Sequence, residues 1–268
     1  MTTLGELIAA TEKRFRAARL HYGHGTDNPR DEAAFLALRS LRLPFETSLE
    51  KAIAPKAVRH VELLARRRIA ERKPAAYLLK EAWLDGVKFY VDERVIIPRS
   101  HIAFLLKGLP QPKRVLDLCT GSGCLAALAA RAFPRAEVVA SDLSPDALAV
   151  ARKNVGRRVR LVESDLFEKL RDERFDLILA NPPYVDAPAM RALPREYRHE
   201  PRLALAAGKD GLVVVDRILR EAKEHLTPRG LLLCEVGDSR RALERRHPGL
   251  RFAWPHAAVF RLRREEMG

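Results

Sequence analysis

The sequence predicts an α/β fold: a Rossmann-like parallel sheet with helices on both faces, preceded by a small helical unit and a β-hairpin connector. Three observations carry this. From about residue 113 onward, short apolar runs alternate with helical stretches, the pattern of βα units. Before residue 76, apolar residues recur at helical spacing instead. Between the two, the period shortens around an Asp-Gly pair. A chain of 268 residues accommodates one large domain with a smaller one appended, and an apolar share of 47% excludes a disordered chain.

In chain order, helices are expected over residues 4–20, 32–43 and 55–72. Leu4, Leu7 and Ile8 set the spacing of the first, and Phe35, Leu36 and Leu38 that of the second. The third follows Pro55 and stops before Pro74. These define a helical N-terminal unit, residues 1–76, expected to recognise a substrate. Over residues 77–97, two apolar runs flank Asp85-Gly86, where glycine tolerates the positive φ a tight hairpin demands. Residues 98–268 form the sheet unit, with strands at 114–118, 137–141, 159–162, 175–180 and 231–236, and two more near 250–254 and 257–262. Helices fit at 124–132, 145–154, 211–226 and 238–246; Ser144-Pro145 reads as an N-cap with proline at the first helical position.

Lys and Arg total 49 against 35 Asp and Glu, a formal charge of +14 that suits polyanionic surroundings such as nucleic acid or a ribosomal particle, or simply a solvated basic surface. Cys119, Cys124 and Cys234 are odd in number and show neither disulfide nor zinc spacing, so a reducing cytoplasm and no metal are expected. No apolar run approaches the roughly 20 residues that span a bilayer, so no membrane partner is expected.

In such sheets ligands bind at the carboxyl ends of the strands. After the strand at 114–118 comes Asp117-Leu118-Cys119-Thr120-Gly121-Ser122-Gly123. Its glycines let the backbone turn and approach a ligand, and the following helix N-terminus favours an anion. The next strand ends at Asp142-Leu143, where a carboxylate suits ribose hydroxyls; the third is followed by Asp165-Leu166, where an acid can accept from an adenine amine. These features suit any adenosine cofactor, and Gly121, Gly123 and Ala126 also satisfy a dinucleotide pattern. Asp117 tilts the choice, because it would repel a pyrophosphate but suits the ammonium of a methionine moiety, and Asp165 in the third loop tilts it further. S-adenosylmethionine, leaving as S-adenosylhomocysteine, is the expected cofactor.

The strand at 175–180 runs into Asn181-Pro182-Pro183-Tyr184. Prolines carry no N–H, and the residue before a proline is held extended. The Asn181 side-chain oxygen and the Pro182 carbonyl are thereby poised to accept both hydrogens of a planar NH₂ group, next to the cofactor, while Tyr184 offers a ring for stacking. Methyl transfer to an amide or amine nitrogen needs positioning and electrostatics, with no metal and no covalent intermediate. A plain strand-terminating turn is the competing reading of these four residues.

Asp117-Leu-Cys-Thr-Gly-Ser-Gly-Cys124 together with Asn181-Pro-Pro-Tyr184 resembles the glutamine side-chain amide methyltransferases, a family of Rossmann-like S-adenosylmethionine-dependent enzymes acting on a ribosomal protein or on release factors. Tyr22–Pro29, Phe89–Val95, Pro98-Arg99-Ser100 and Glu196–Pro201 are similar to the ribosomal branch, which modifies the third large-subunit protein. The resemblance covers nearly the whole chain. It implies that Asn181 to Tyr184 bind the target amide, that the glycine loop, Asp142 and Asp165 hold the cofactor, and that Pro98–Ser100 lies over it. It also implies a ribosomal protein partner, free or in an assembling large subunit with rRNA nearby. Arg30 and His101 depart from the branch, which there has Trp and Pro.

Three other readings stay open: glutamine methylation of release factors, methylation of an exocyclic base amine, and an assembly factor that keeps the cofactor fold without turnover. His24, Trp83 and Trp254 are expected to be structural, and Arg66-Arg67-Arg68 to form a solvated helix face. Glu235, closing an apolar strand, is read two ways, as touching the active site or as making a structural hydrogen bond, and is not counted among the site residues.

Overall fold

The computed structural model describes residues 1–268. Helices α1 (Leu4–Ala17), α2 (Pro29–Ser40) and α3 (Pro55–Glu71) pack around their own core, which includes Leu4, Phe15, Leu36 and Val61. Local chemistry sets their starts. Thr3 and Glu6 form a reciprocal capping box on α1, and Asn28 caps α2 by accepting from the Asp31 N–H at 2.9 Å, with Pro29 at the first helical position. That cap begins α2 three residues before the sequence expectation.

Residues 77–79 do not begin a strand. They belong to a short helix, α4 (Ala75–Leu79), and the hairpin is limited to β1 (Ala82–Leu84) and β2 (Val87–Phe89). Asp85 at φ 47° and Gly86 at φ 72° make its turn the doubly positive type that matches strand twist. A small core, including Tyr77, Val91, Val95 and Ile97, joins this connector to Ala147 and Val150 of the sheet unit.

The sheet unit runs α5 (Ile102–Leu105), β3 (Arg114–Leu118), α6 (Cys124–Ala132), β4 (Glu137–Asp142), α7 (Pro145–Val155), β5 (Val159–Glu163) and β6 (Phe175–Ala180). It continues through α8 (Ala187–Ala192), α9 (Val213–Glu221), β7 (Leu226–Glu235), α10 (Arg240–Arg246), β8 (Ala253–His256) and β9 (Val259–Arg263). Strand order is β5-β4-β3-β6-β7-β9-β8. The five strands β3 to β7 are parallel, but β9 and β8 add antiparallel, so the sheet is mixed where sequence reasoning expected it parallel throughout. A two-residue link between β8 and β9 leaves no room for a crossover helix, and only an antiparallel return closes it.

Apolar clusters cover both faces of the sheet, one carrying Leu125 and Leu128 of α6, the other Val215 and Ile218 of α9. β7 starts five residues earlier than expected. Phe175 pairs with Leu226 and Leu177 with Leu231, so Thr-Pro-Arg-Gly bulges out of the ladder rather than ending it. α9 ends earlier than expected, because residues 222–225 tighten into a 3₁₀ turn. No helix is long and apolar enough to cross a membrane. The chain leaves β3 toward β4 and β5, then returns to β6 on the other side, so the loops after β3 and β6 are neighbours.

Candidate active site

Those carboxyl ends open into a cleft of about 910 Å³ counted to its mouth. Cys119, Gly121, Asp142 and Leu143 line it from the first two strand ends, Asp165 and Leu166 from the third, and Asn181 and Pro183 from the fourth. Asp117, Thr120, Ser122 and Gly123 do not reach the cleft wall and are buried beneath it.

The two loop glycines do different work. Gly121, at φ 55°, has nothing within 4 Å of where a Cβ would stand, so it borders open space. Gly123, at φ 78°, caps α6, and a Cβ there would come within 2.6 Å of Val155 Cγ1 on α7. Gly123 thus permits the helix–helix contact.

Asp117 was expected to meet an ammonium. In the fold its Oδ2 turns into the loop, accepting from Thr120 Oγ1 at 2.6 Å and from the Ala126 N–H at 2.9 Å. Its Oδ1 is buried without a partner, and burial pushes the carboxyl up to about 7. Asp142 accepts from the Gly121 N–H at 2.8 Å and the Ser144 N–H at 2.9 Å, and its burial also raises its pKa. Asp165 accepts from Arg217 Nη1 at 2.9 Å. Arg217, on α9, lines the cleft and escaped the sequence reading, because only the sheet order brings that helix alongside Asp165.

A second cavity adjoins the first, lined in part by Arg99, Pro182, Tyr184, Val185 and Tyr197. Asn181 lines both, and its Oδ1 is buried with no hydrogen-bond partner. Tyr184 is packed closely: a Cβ on Gly237 would stand 2.7 Å from the ring Cε2, and one on Gly211 would stand 2.5 Å from the Tyr184 carbonyl oxygen. Val185 then bridges in parallel to Ala206, donating to the Leu205 carbonyl at 2.9 Å.

Glu235 holds more than one structural bond. Buried at the end of β7, it accepts from the Tyr184 hydroxyl at 3.4 Å through Oε1, and from Ser100 Oγ at 2.6 Å and the His101 N–H at 3.0 Å through Oε2. It ties the strand-end motif to Pro98–Ser100. Arg99 forms a two-pronged salt bridge to Glu200, at 2.5 and 2.8 Å, inside the second cavity's wall. Glu200 also accepts from the Ile97 N–H at 3.0 Å.

The segment after the motif clasps the helical unit. Glu196 accepts from the His21 N–H at 3.1 Å and from Arg72 at 3.2 Å, and lies 3.6 Å from Arg68. Arg68 is fully buried and also pairs with Glu32, so the Arg66–Arg68 run is not a solvated face: Arg66 and Arg67 are exposed, but Arg68 anchors the junction. His24 is structural as expected, buried against Tyr197 with its pKa pushed down to about 3, first by burial and then by Arg99 and Arg68. Trp83 packs edge-on against Phe45 and donates to Glu81, and Trp254 lies under the Arg240 guanidinium.

No group of three or more His, Cys, Asp or Glu is placed to hold a metal ion. Burial raises the thiol of Cys124 to about 12 and also raises those of Cys119 and Cys234, which disfavours any thiolate nucleophile.

The Methyltransferase small domain family matches residues 101–194. A ribosomal protein uL3 glutamine methyltransferase of Bordetella pertussis is 48% identical over 95% of this chain and 91% of its own, and one of Burkholderia pseudomallei is 46% identical over 94% and 90%. The chain belongs to the uL3 glutamine methyltransferase family. A crystal structure of a methyltransferase from Pyrococcus furiosus, 19% identical, superposes with TM-score 0.50 over 77% of this chain and 98% of its own, a likeness of fold.

As a member of the uL3 glutamine methyltransferases, the chain is an S-adenosylmethionine-dependent enzyme with a Rossmann-like sheet, in agreement with the sequence resemblance. The cleft fits that donor. It offers carboxylates at two strand ends, the glycine loop's open side at Gly121, an unpartnered buried acceptor on Asn181, and apolar walls from Val95, Ile96 and Leu203 for a purine.

Proposed function

We propose that this enzyme methylates the side-chain amide nitrogen of a glutamine in ribosomal protein uL3, the substrate that its relatives' names carry. One observation carries the site assignment: two cavities meet at Asn181, whose side-chain oxygen is buried with nothing to accept. A buried acceptor without a donor is costly, and a ligand N–H removes that cost.

S-adenosylmethionine supplies an electrophilic methyl group and leaves as S-adenosylhomocysteine. In the cofactor cleft, Asp142 is assigned to the ribose hydroxyls, Asp165 with Leu166 to the adenine, and Cys119, Gly121 and Leu143 to the surrounding wall. Asp117, Thr120, Ser122 and Gly123 hold the loop in shape from beneath. In the adjoining cavity, Asn181 Oδ1 and the Pro182 carbonyl accept the two amide hydrogens. Pro183 keeps the turn free of competing donors, and Tyr184 walls the plane of the amide. Fixing both hydrogens would direct the nitrogen toward the methyl group; the C–N bond would form as the methyl–sulfur bond breaks, and one amide hydrogen would leave as a proton to water.

Residues 98–268 form the catalytic unit in this reading, 77–97 the connector, and 1–76 the unit that receives the protein substrate. The substrate is met in the cytoplasm, either free or in an assembling large subunit with rRNA nearby. The test is transfer of labelled methyl from S-adenosylmethionine into methyl-deficient ribosomal components and release factor. Label in uL3, mapped to one glutamine, is expected. Label in RNA or release factor alone contradicts the reading, and cofactor binding with label nowhere points to a factor without turnover.

A further inference from the structure

A basin at the far end of the sheet has no part in the chemistry above. It lies where β3, β6 and β7 begin and β9 ends, opposite the carboxyl ends that form the cleft. Lys113, Arg229, Arg261 and Arg263 line it, with Asp176 as its only carboxylate. Arg261 and Arg263 stand two apart on β9, so both side chains leave the same face, beside Leu233 and Leu231 of β7.

These four cations outnumber the one carboxylate that shares the basin with them. Their neighbour Arg114 is neutralised by Glu137 and Glu173, and Arg160 by Glu173, but none of the four makes an ion pair. Asp176 is spent on its own surroundings, accepting from the Lys113 and Arg114 N–H groups at 2.8 and 3.0 Å and from Thr227 Oγ1 at 2.9 Å. Arg261 Nε is buried without an acceptor. Arg261 lines the open basin together with three exposed cations, an arrangement that suits an anion.

We propose that this basin is a phosphate site that docks RNA backbone. The basin is open to solvent, which suits a strand passing over it better than a single enclosed ion. Gly108, Pro110 and Pro112 form its rim, with no aromatic ring to stack a base, so recognition is by backbone charge and not by sequence. Its position leaves the cleft free, so RNA and a peptide substrate can be held together. The ribosomal setting rests on the function proposed above; the binding chemistry does not.

The test titrates a fluorescent RNA hairpin with the full-length protein and with the Arg229→Ala/Arg263→Ala variant. Both side chains are exposed and unpaired, so the fold should persist, as equal unfolding temperatures will verify. The variant is expected to bind RNA about tenfold more weakly, and the slope of log Kd against log salt to fall by roughly 2. Methylation of the free protein substrate should match wild type. Unchanged affinity and slope overturn the proposal. So does complete displacement of RNA by inorganic phosphate at matched ionic strength, which would mark a small-anion site. Because binding is read without turnover, failure of the glutamine assignment would leave this result standing.

Discussion

Asn181 shows how far a single residue's role can be read from a sequence. Two prolines after it, at the end of an apolar run, imply an extended backbone and free acceptors. The fold adds that Asn181 Oδ1 is buried between two cavities. Asn181→Ala should lower kcat by at least about 100-fold, the order of loss when one preorganised polar partner is removed, with S-adenosylmethionine affinity within a few fold of wild type; single-turnover kinetics and calorimetry check the two parts. Glu235 was legible only as an acid closing a strand. Its partners, Tyr184, Ser100 and His101, come from segments more than 50 residues away, so no local pattern announces them. Glu235→Leu should raise KM for the protein substrate and lower kcat, while Glu235→Gln, which keeps an acceptor oxygen, should retain more of both in steady-state assays.

At the scale of the elements, what was legible followed from periodicity and caps. β3, α6 and β6 lie where the alternation put them, because each is a run of one period bounded by glycine, proline or a charge. α4 was misread because five residues are too few to separate a helical from an extended period, and its Tyr77 is buried in either case. The 3₁₀ turns over residues 195–199 and 202–204 are too short to repeat a pattern. The glycine loop yields a contrast at this scale. Gly123→Ala forces a methyl group against α7 in a left-handed backbone and should cost about 1–3 kcal/mol, seen as a lower unfolding temperature with or without cofactor. Gly121→Ala meets no protein atom and should cost about 1 kcal/mol, with its larger effect on cofactor affinity.

Over the whole molecule, the helical unit and the sheet unit are joined through buried charge as well as apolar contact. Glu196 and Glu200, on the segment after the Asn181–Tyr184 turn, engage Arg68, Arg72 and Arg99, so the helical unit is latched beside the second cavity. His24 sits in that latch, facing Arg99 and Arg68 as cations, His21 as a titratable neighbour, and Glu196 and Glu200 as carboxylates. Its folded pKa, about 3, lies below the ordinary 6.5, so the unfolded chain takes up the proton first. The stability it contributes is present above about pH 6.5 and drains as pH falls toward 3. Unfolding measured across that range should show this acid-side loss in wild type and a shallower one in His24→Asn.

By itself the sequence determined the sheet's alternation, the glycine loop, the strand-end carboxylates and the Asn-Pro-Pro-Tyr turn, because each follows from chemistry spanning a few neighbouring residues. The tertiary structure decided the mixed sheet edge, the burial of Arg68, the partners of Glu235 and Arg99, and the place where two cavities share Asn181. Those depend on which distant segments become neighbours, and a buried charge is placed by the partner that neutralises it, a partner that its own neighbours in the chain do not reveal.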